Sequence, residues 1–252
     1  MNLYLLSALW VGGAAIGAAV LAYLIRRFWA HEERARNNEA AGQVFTIVAG
    51  LNAVLMAFVL IALFDAAKEA DDASYREADG LVAAAWASDS LPAGTGEQVR
   101  ALARAYATTV INDEWPRMSG GTAVPSTGWS QLDRLRQAVA RAQVDDEWQV
   151  ERKTEAAHQL WLVYEARQDR LDAAGSGVDA VVWFTLLLGS VLSIGLPLLF
   201  GGPSVRAHVI IVGTLTATIA LLLYATYQMQ NPFGGGADVD PGAFRAALER
   251  FG

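Results

Sequence analysis

Four long apolar runs are separated by polar segments along the chain: Leu3 to Ile25, Val44 to Phe64, Ala180 to Phe200 and Val209 to Tyr227. Each is long enough to cross a bilayer as a helix, which takes about 20 residues. Hydrocarbon offers no hydrogen-bond partners, so an uncharged run of this length must pair its own backbone groups, and a helix does so. The pattern predicts an all-α integral membrane protein with four transmembrane helices and a helical extramembrane domain between the second and third. The expected divisions are residues 1–65, two spans with a basic linker; 66–175, a charged helical domain; 176–231, two further spans; and 232–252, a tail with a short helix.

Helical periodicity continues into the charged block. Asp65 to Ala87 extends the second span without proline and with Gly80 alone as a weak point, so span and extension are expected to form one rod of about 65 Å at 1.5 Å per residue. Leu91-Pro92-Ala93-Gly94 breaks it. Val99, Leu102, Ala103, Tyr106 and Val110 recur at helical spacing on a second helix that Pro116 is expected to end. After a Gly- and Pro-containing loop, Ser130 to Gln143 reads as a third helix with Leu132, Leu135 and Val139 on one face. A fourth is expected to start near Asp145, where acidic residues suit the positive end of the helix dipole. Its stripe of Val150, Thr154, Ala157, Trp161 and Tyr164 reads as bundle core, the ordinary fate of an amphipathic face.

Charge changes the picture in two ways. Residues 66–175 carry 12 Lys and Arg against 18 Asp and Glu, so most of the net charge of −7 lies there, and an acidic surface argues against nucleic acid or anionic headgroups as partners. Arginines also set an orientation. Arg26, Arg27, Arg34 and Arg36 follow the first run and Arg206 lies between the third and fourth, so the positive-inside rule places both short linkers in the cytoplasm. Both termini and the large domain are then expected outside a bacterial plasma membrane. The first run is read as a retained anchor, because its positive charges follow it and no small-residue cleavage pattern appears.

Chemistry-bearing motifs are scarce. There is no cysteine, which excludes disulfide and thiolate chemistry. His31-Glu32-Glu33-Arg34-Ala35 starts like a zinc-protease helix but has Ala35 where the second histidine must stand. Asp145-Asp146-Glu147 lacks the spaced loop that a calcium site needs. An enzyme is not expected, nor a metal or other cofactor. Within the spans Asn52 stands out, either as a hydrogen bond between helices or as a pore-lining group. The threonines of the fourth span are expected to bond back to their own helix. Gly13-x-x-x-Gly17 and Ala49, Ala53, Ala57 offer small-residue seams for tight packing.

Asn38-Glu39-Ala40-Ala41-Gly42 leading through Phe45, then Ala57-Phe58, Asp65 and Glu77-Ala78, resemble the bacterial bestrophin-like family, a domain of unknown function. Arg170, Trp183, Gly189, Phe200-Gly201, Asn231-Pro232-Phe233-Gly234, Pro241 and Phe244 are similar to that family's closing pattern. The resemblance implies two pairs of transmembrane helices around a helical insert. Its name comes from bestrophins, which are pentameric ion channels. Their pore neck uses bulky apolar residues one turn apart on the second span, whereas small residues interrupt every such row here, and their insert is cytoplasmic.

The functional expectation is an oligomeric ion-conducting channel. Asn52, Phe45 and Phe58 are its candidate pore or inter-helix residues. Asp65, Asp72 and Asp79 recur every seven positions, nearly on one helix face, with Glu69 close by; they would form carboxylate rings at the outer mouth and Glu39 another at the inner end. Such rings favour cations weakly, against the opposing charge of Lys68 and Arg76, expected to pair as Lys68 with Asp72 or Asp72 with Arg76. Partners are then the lipid bilayer, further copies of the chain and permeant ions. The alternative is a non-conducting scaffold or sensor whose outer domain binds a partner in the cell envelope.

Overall fold

The protein is described by a computed structural model covering residues 3–28, 38–92, 94–175, 177–199, 204–237 and 239–251. The described residues are helical, with no strand among them. The helices are α1 (Leu3–Phe28), α2 (Asn38–Ser88), α3 (Thr95–Thr109), α4 (Trp115–Ser119), α5 (Thr127–Arg141), α6 (Glu147–Gly175), α7 (Ala180–Leu199), α8 (Val205–Met229) and α9 (Gly242–Arg250). Contacts divide the chain into two compact units. One holds residues 1–63 and 177–230, the other 64–176 and 231–252. The zinc-protease-like run from His31 to Ala35 and the linker arginines Arg34 and Arg36 lie outside the described residues.

The first unit carries α1, the apolar part of α2, α7 and α8, four helices long and apolar enough to cross a membrane. Large apolar side chains face outward on all four, including Trp10, Phe58, Phe184 and Ile210, as lipid-facing positions do. α1 packs on α8 beside Gly213, where an added Cβ would meet Ala19 Cβ at 3.8 Å and the Ala15 carbonyl at 4.0 Å. Ala22, Leu198 and Val212 form one small core, and Met56, Leu186 and Ile219 form another. Within the chain the Gly13 to Gly17 seam meets no described atom: both glycines face outward, and the alanines on the other side of α1 make the contact with α8. Ala53 and Ala57 are likewise exposed. Thr216, Thr218 and Thr226 do bond back to carbonyls one turn earlier.

The second unit is built on the polar half of α2, which runs without interruption from the apolar half. Gly80 serves that continuity through packing, since a Cβ there would stand 2.8 Å from Val163 Cγ2 of α6. Val99, Ala103 and Tyr106 of α3, Val110 just beyond it, and Leu132, Leu135 and Val139 of α5 are buried in one core with Leu160 and Val163 of α6. Asp146, the middle residue of the Asp145-Asp146-Glu147 triplet, caps α6 by accepting the Gln149 N–H at 2.8 Å.

Two expectations fail in this unit. Pro116 does not end the helix. A π-helical turn over Val110–Glu114, in which the Trp115 N–H reaches back to the Val110 carbonyl, loosens the ladder where the proline ring would clash, and α4 continues to Ser119. The stripe of Val150, Thr154, Ala157, Trp161 and Tyr164 is exposed and is not bundle core, with Trp161 57% and Tyr164 44% accessible. α6 instead buries Ala156, Leu160, Val163, Arg167 and Arg170, a ladder of 3- and 4-residue steps rotated from the expected one.

Candidate functional site

The residues singled out from the sequence lie at different depths along α2. Phe58, Asp65, Glu69, Asp72 and Asp79 are exposed, Phe45 is half-buried and Asn52 is buried. Glu39 stands in the first turn of α2, and its side chain lies outside the described residues. Asn52 meets the backbone of α7 at Gly189, where any Cβ would collide with the amide. Its Oδ1 has no hydrogen-bond partner among the described residues. The expected pairs of Lys68 with Asp72 and of Asp72 with Arg76 do not form. Arg76 instead donates to Glu69 at 2.9 Å and to Asp169 of α6 at 3.1 Å, because α6 brings a carboxylate to the guanidinium from the side. Asp79 accepts from Arg250 of α9 at 2.9 Å. Asp65, Lys68 and Asp72 have no ion-pair partner among the described residues. The negative potential there is felt by Asp71, whose carboxyl is held above its ordinary range by partial burial and by the charges of Asp72 and Asp240.

The most concentrated polar chemistry lies elsewhere, inside the second unit. Glu77 of α2, Glu114 of the π-helical turn, and Arg167 and Arg170 of α6 are all fully buried. Arg170 forks onto Glu77, with Nε donating to Oε2 at 2.6 Å and Nη2 to Oε1 at 3.1 Å. Arg167 forks onto Glu114, with Nη1 and Nη2 donating at 2.9 and 2.8 Å. Arg170 Nη2 also donates to Glu114 at 3.0 Å and so joins the two pairs. Tyr106 of α3 donates its hydroxyl proton to Glu77 and accepts from Arg167 at 3.0 Å. Two guanidinium and two carboxylate groups sum to zero charge, the condition under which ions tolerate burial.

Electrostatics keeps the partners in these states. Burial pushes the Glu114 carboxyl upward, but the hydrogen bond from Arg167 and the charge of Arg170 outweigh it and hold Glu114 below its ordinary value. For Tyr106, burial and then the Glu77 charge raise the phenol well above its ordinary value, so it remains a donor. Burial works against the cationic form of both arginines, and the neighbouring carboxylates overcome it.

Local structure explains how these groups meet. The wide π turn adds a residue to the ladder and turns Glu114 inward, while Arg167 and Arg170, three residues apart, continue the buried face of α6. Gly128 at the start of α5 leaves the space they need, since a Cβ there would run into Glu114 and Arg167. Aromatic rings enclose the site: the Arg167 guanidinium lies 4.6 Å from the Trp129 ring centre, and that of Arg170 lies 5.8 and 5.5 Å from Trp115 and Phe244. Phe244 belongs to the tail, which Asn231 ties down by donating to the Met118 and Ser119 carbonyls and Trp115 by donating to Val239.

Chemically this arrangement is a lock. Every carboxylate oxygen is taken by a guanidinium or phenol, and no acid or base is left free to exchange a proton with a substrate. Among the described residues no group of three His, Asp or Glu side chains is placed to hold a metal. Sequence reasoning marked Glu77 and Arg170 through the resemblance alone and missed Glu114 and Arg167. The available signal was the charged continuation of the Ala156, Leu160, Val163 face.

The family model described as the bestrophin-like domain matches residues 12–244. No curated protein matches the chain. A crystal structure of a protein described as a membrane protein is similar over 100% of this chain and 98% of its own, with a TM-score of 0.69 and 12% identity, a likeness of fold.

Proposed function

The chain belongs to the bestrophin-like family, and from that premise we propose that it is an ion-conducting membrane protein assembled from several copies, a pentamer by analogy with bestrophins. The second unit is a helical domain inserted between the second and third spans and faces the outside of a bacterial plasma membrane, with the basic linkers inside.

One observation carries the reading. Val44, Leu51, Phe58, Asp65, Asp72 and Asp79 follow one another at seven-residue steps along a single unbroken helix, and all of them are exposed. A seven-residue repeat drifts about 20° per step, so Asp65, Asp72 and Asp79 stay within about 40° of one another while the five steps from Val44 to Asp79 accumulate about 100°. The apolar positions of that face suit lipid or a neighbouring subunit. Asp65 and Asp72 are carboxylates without a described ion-pair partner, and around a symmetry axis each would form a ring. Asp79 is committed to Arg250 and contributes less. The expected selectivity is a weak preference for cations.

Ionic current through purified protein in planar bilayers tests conduction. The reversal potential in a salt gradient, for the wild type and for Asp65→Asn with Asp72→Asn, tests the rings. An anion-selective wild type, or a double variant with an unmoved potential, refutes them. An assembled oligomer that passes no current would favour the non-conducting scaffold.

A further inference from the structure

We propose that the outward-facing aromatic stripe of α6 and the adjoining face of α5 form a binding site for a neutral sugar, of the size of one or two pyranose rings. The starting point is the exposure of Trp161 and Tyr164, which helical periodicity assigns to the core and the fold leaves open. These rings line a groove of about 380 Å³, floored by Leu132 and Leu160 and flanked by Trp129. That size is within the range of small-molecule sites, which combine apolar walls with a few placed polar groups.

The rings form a stacked and tilted aromatic cluster along the groove. Trp161 and Tyr164 are nearly parallel, 15° apart with centres separated by 5.4 Å, and Trp129 lies 5.1 Å from Tyr164 at 53°. Trp161 is fixed by its indole N–H, which donates to Glu165 at 2.9 Å, and the buried Arg167 guanidinium lies over one face of the Trp129 ring, 4.6 Å from its centre. Ring faces carry negative potential and attract weakly positive C–H groups, which a pyranose presents on one side.

The rim decides the charge of the ligand. Asp133 and Arg136 both line the groove and lie 3.5 Å apart, so its charged groups cancel. A cationic ligand would find the carboxylate already neutralised, and an anionic one would find the guanidinium already neutralised. A neutral polyol suits both, because a guanidinium offers a planar fork of donors and a carboxylate offers acceptors to vicinal hydroxyls. The Tyr164 hydroxyl, which makes no hydrogen bond among the described residues, adds a third polar group. The site stands whether or not the chain conducts ions.

The test is calorimetric titration of the full chain in lipid nanodiscs, free of glycoside detergents that would compete. The probes are the trimer of β-1,4-linked N-acetylglucosamine, cellotriose and maltotriose, with choline as the cationic comparison. At least one trisaccharide is expected to bind saturably with Kd of about 1 mM or tighter. Trp161→Ala and Tyr164→Ala should each weaken it about tenfold, and Arg136→Gln severalfold, with thermal unfolding unchanged because these side chains are exposed. Absence of binding by all three sugars up to about 10 mM overturns the proposal, given the affinity expected of a formed pocket. Binding of choline in their place, or sugar binding indifferent to both aromatic variants, overturns it equally.

Discussion

Replacing Arg170 with methionine should unfold the second unit well before wild type, and the structure gives the size of the effect. The change removes three hydrogen bonds to carboxylates and a contact to Met118 Sδ at 3.3 Å. Methionine fills much of the volume, so the loss is chiefly electrostatic. Glu77 would keep the Tyr106 hydroxyl and the more distant Arg167, 3.8 Å away, and the buried cluster would carry a net negative charge. Breaking one side of a buried pair costs about 3–5 kcal/mol. At about 2–4 °C per kcal/mol for a larger domain, the midpoint should fall by about 10 °C. Near-ultraviolet circular dichroism during a thermal scan reads it, because Trp115, Trp129 and Tyr106 surround the cluster. Adding Glu77→Met should recover a good part of the loss, since an uncharged, filled site no longer holds an unpaired ion. A midpoint shift under about 2 °C for the single variant, or simple additivity in the double, would refute the view that these charges depend on one another.

Gly128→Ala should destabilise the same unit by about 1–3 kcal/mol through overpacking, read as an earlier midpoint in the same scan. Stability of the unit should also have two pH edges in chemical unfolding. Glu114 is lowered in the folded state, so its contribution is present above the ordinary carboxyl value of 4.5 and is lost as pH falls through the lower folded value; Tyr106 is raised, so its contribution is present below 10.0 and is lost as pH climbs. A stability profile flat from pH 3 to 11 would contradict both, given those directions. Single cysteines at Ser119 and Ala35 should react differently with an impermeant thiol reagent on intact cells, position 119 only, and the reverse pattern would place the inserted domain in the cytoplasm. Asn52→Leu should leave the spans inserted but disturb the α2 to α7 contact at Gly189, seen as a changed oligomer on a sizing column; altered conductance with an intact oligomer would give the amide a pore role instead.

The transmembrane helices were legible because lipid imposes one rule on every residue of a span, and a run of apolar residues records it directly. Helix existence in the polar block was legible for the same kind of reason, through the spacing of Val99, Ala103 and Tyr106 and of Leu132, Leu135 and Val139. Family resemblance picked out Glu77, Arg170, Gly189, Asn231 and Phe244. It could not say that the first two form a salt bridge, the third receives Asn52, and the last two bind the tail within the second unit.

The misassigned core face in the polar block has one physical origin, the choice of which stripe of α6 faces inward. Hydrophobicity alone favours Val150, Ala157, Trp161 and Tyr164, since the charges of Arg167 and Arg170 disqualify the neighbouring face. That disqualification holds only if their charges stay unpaired. Glu77 and Glu114 arrive from two other segments 93 and 53 residues away in sequence from their respective partners, and the second is turned inward by a π-helical turn that no local pattern announces. Once both pairs form, the small residues Ala156 and Ala166 let α6 approach closely, and the rotation that buries the arginines must expose the aromatics. The buried lock and the open aromatic groove are therefore two consequences of a single rotation. The link between them is Trp129, which meets Arg167 and also flanks the groove.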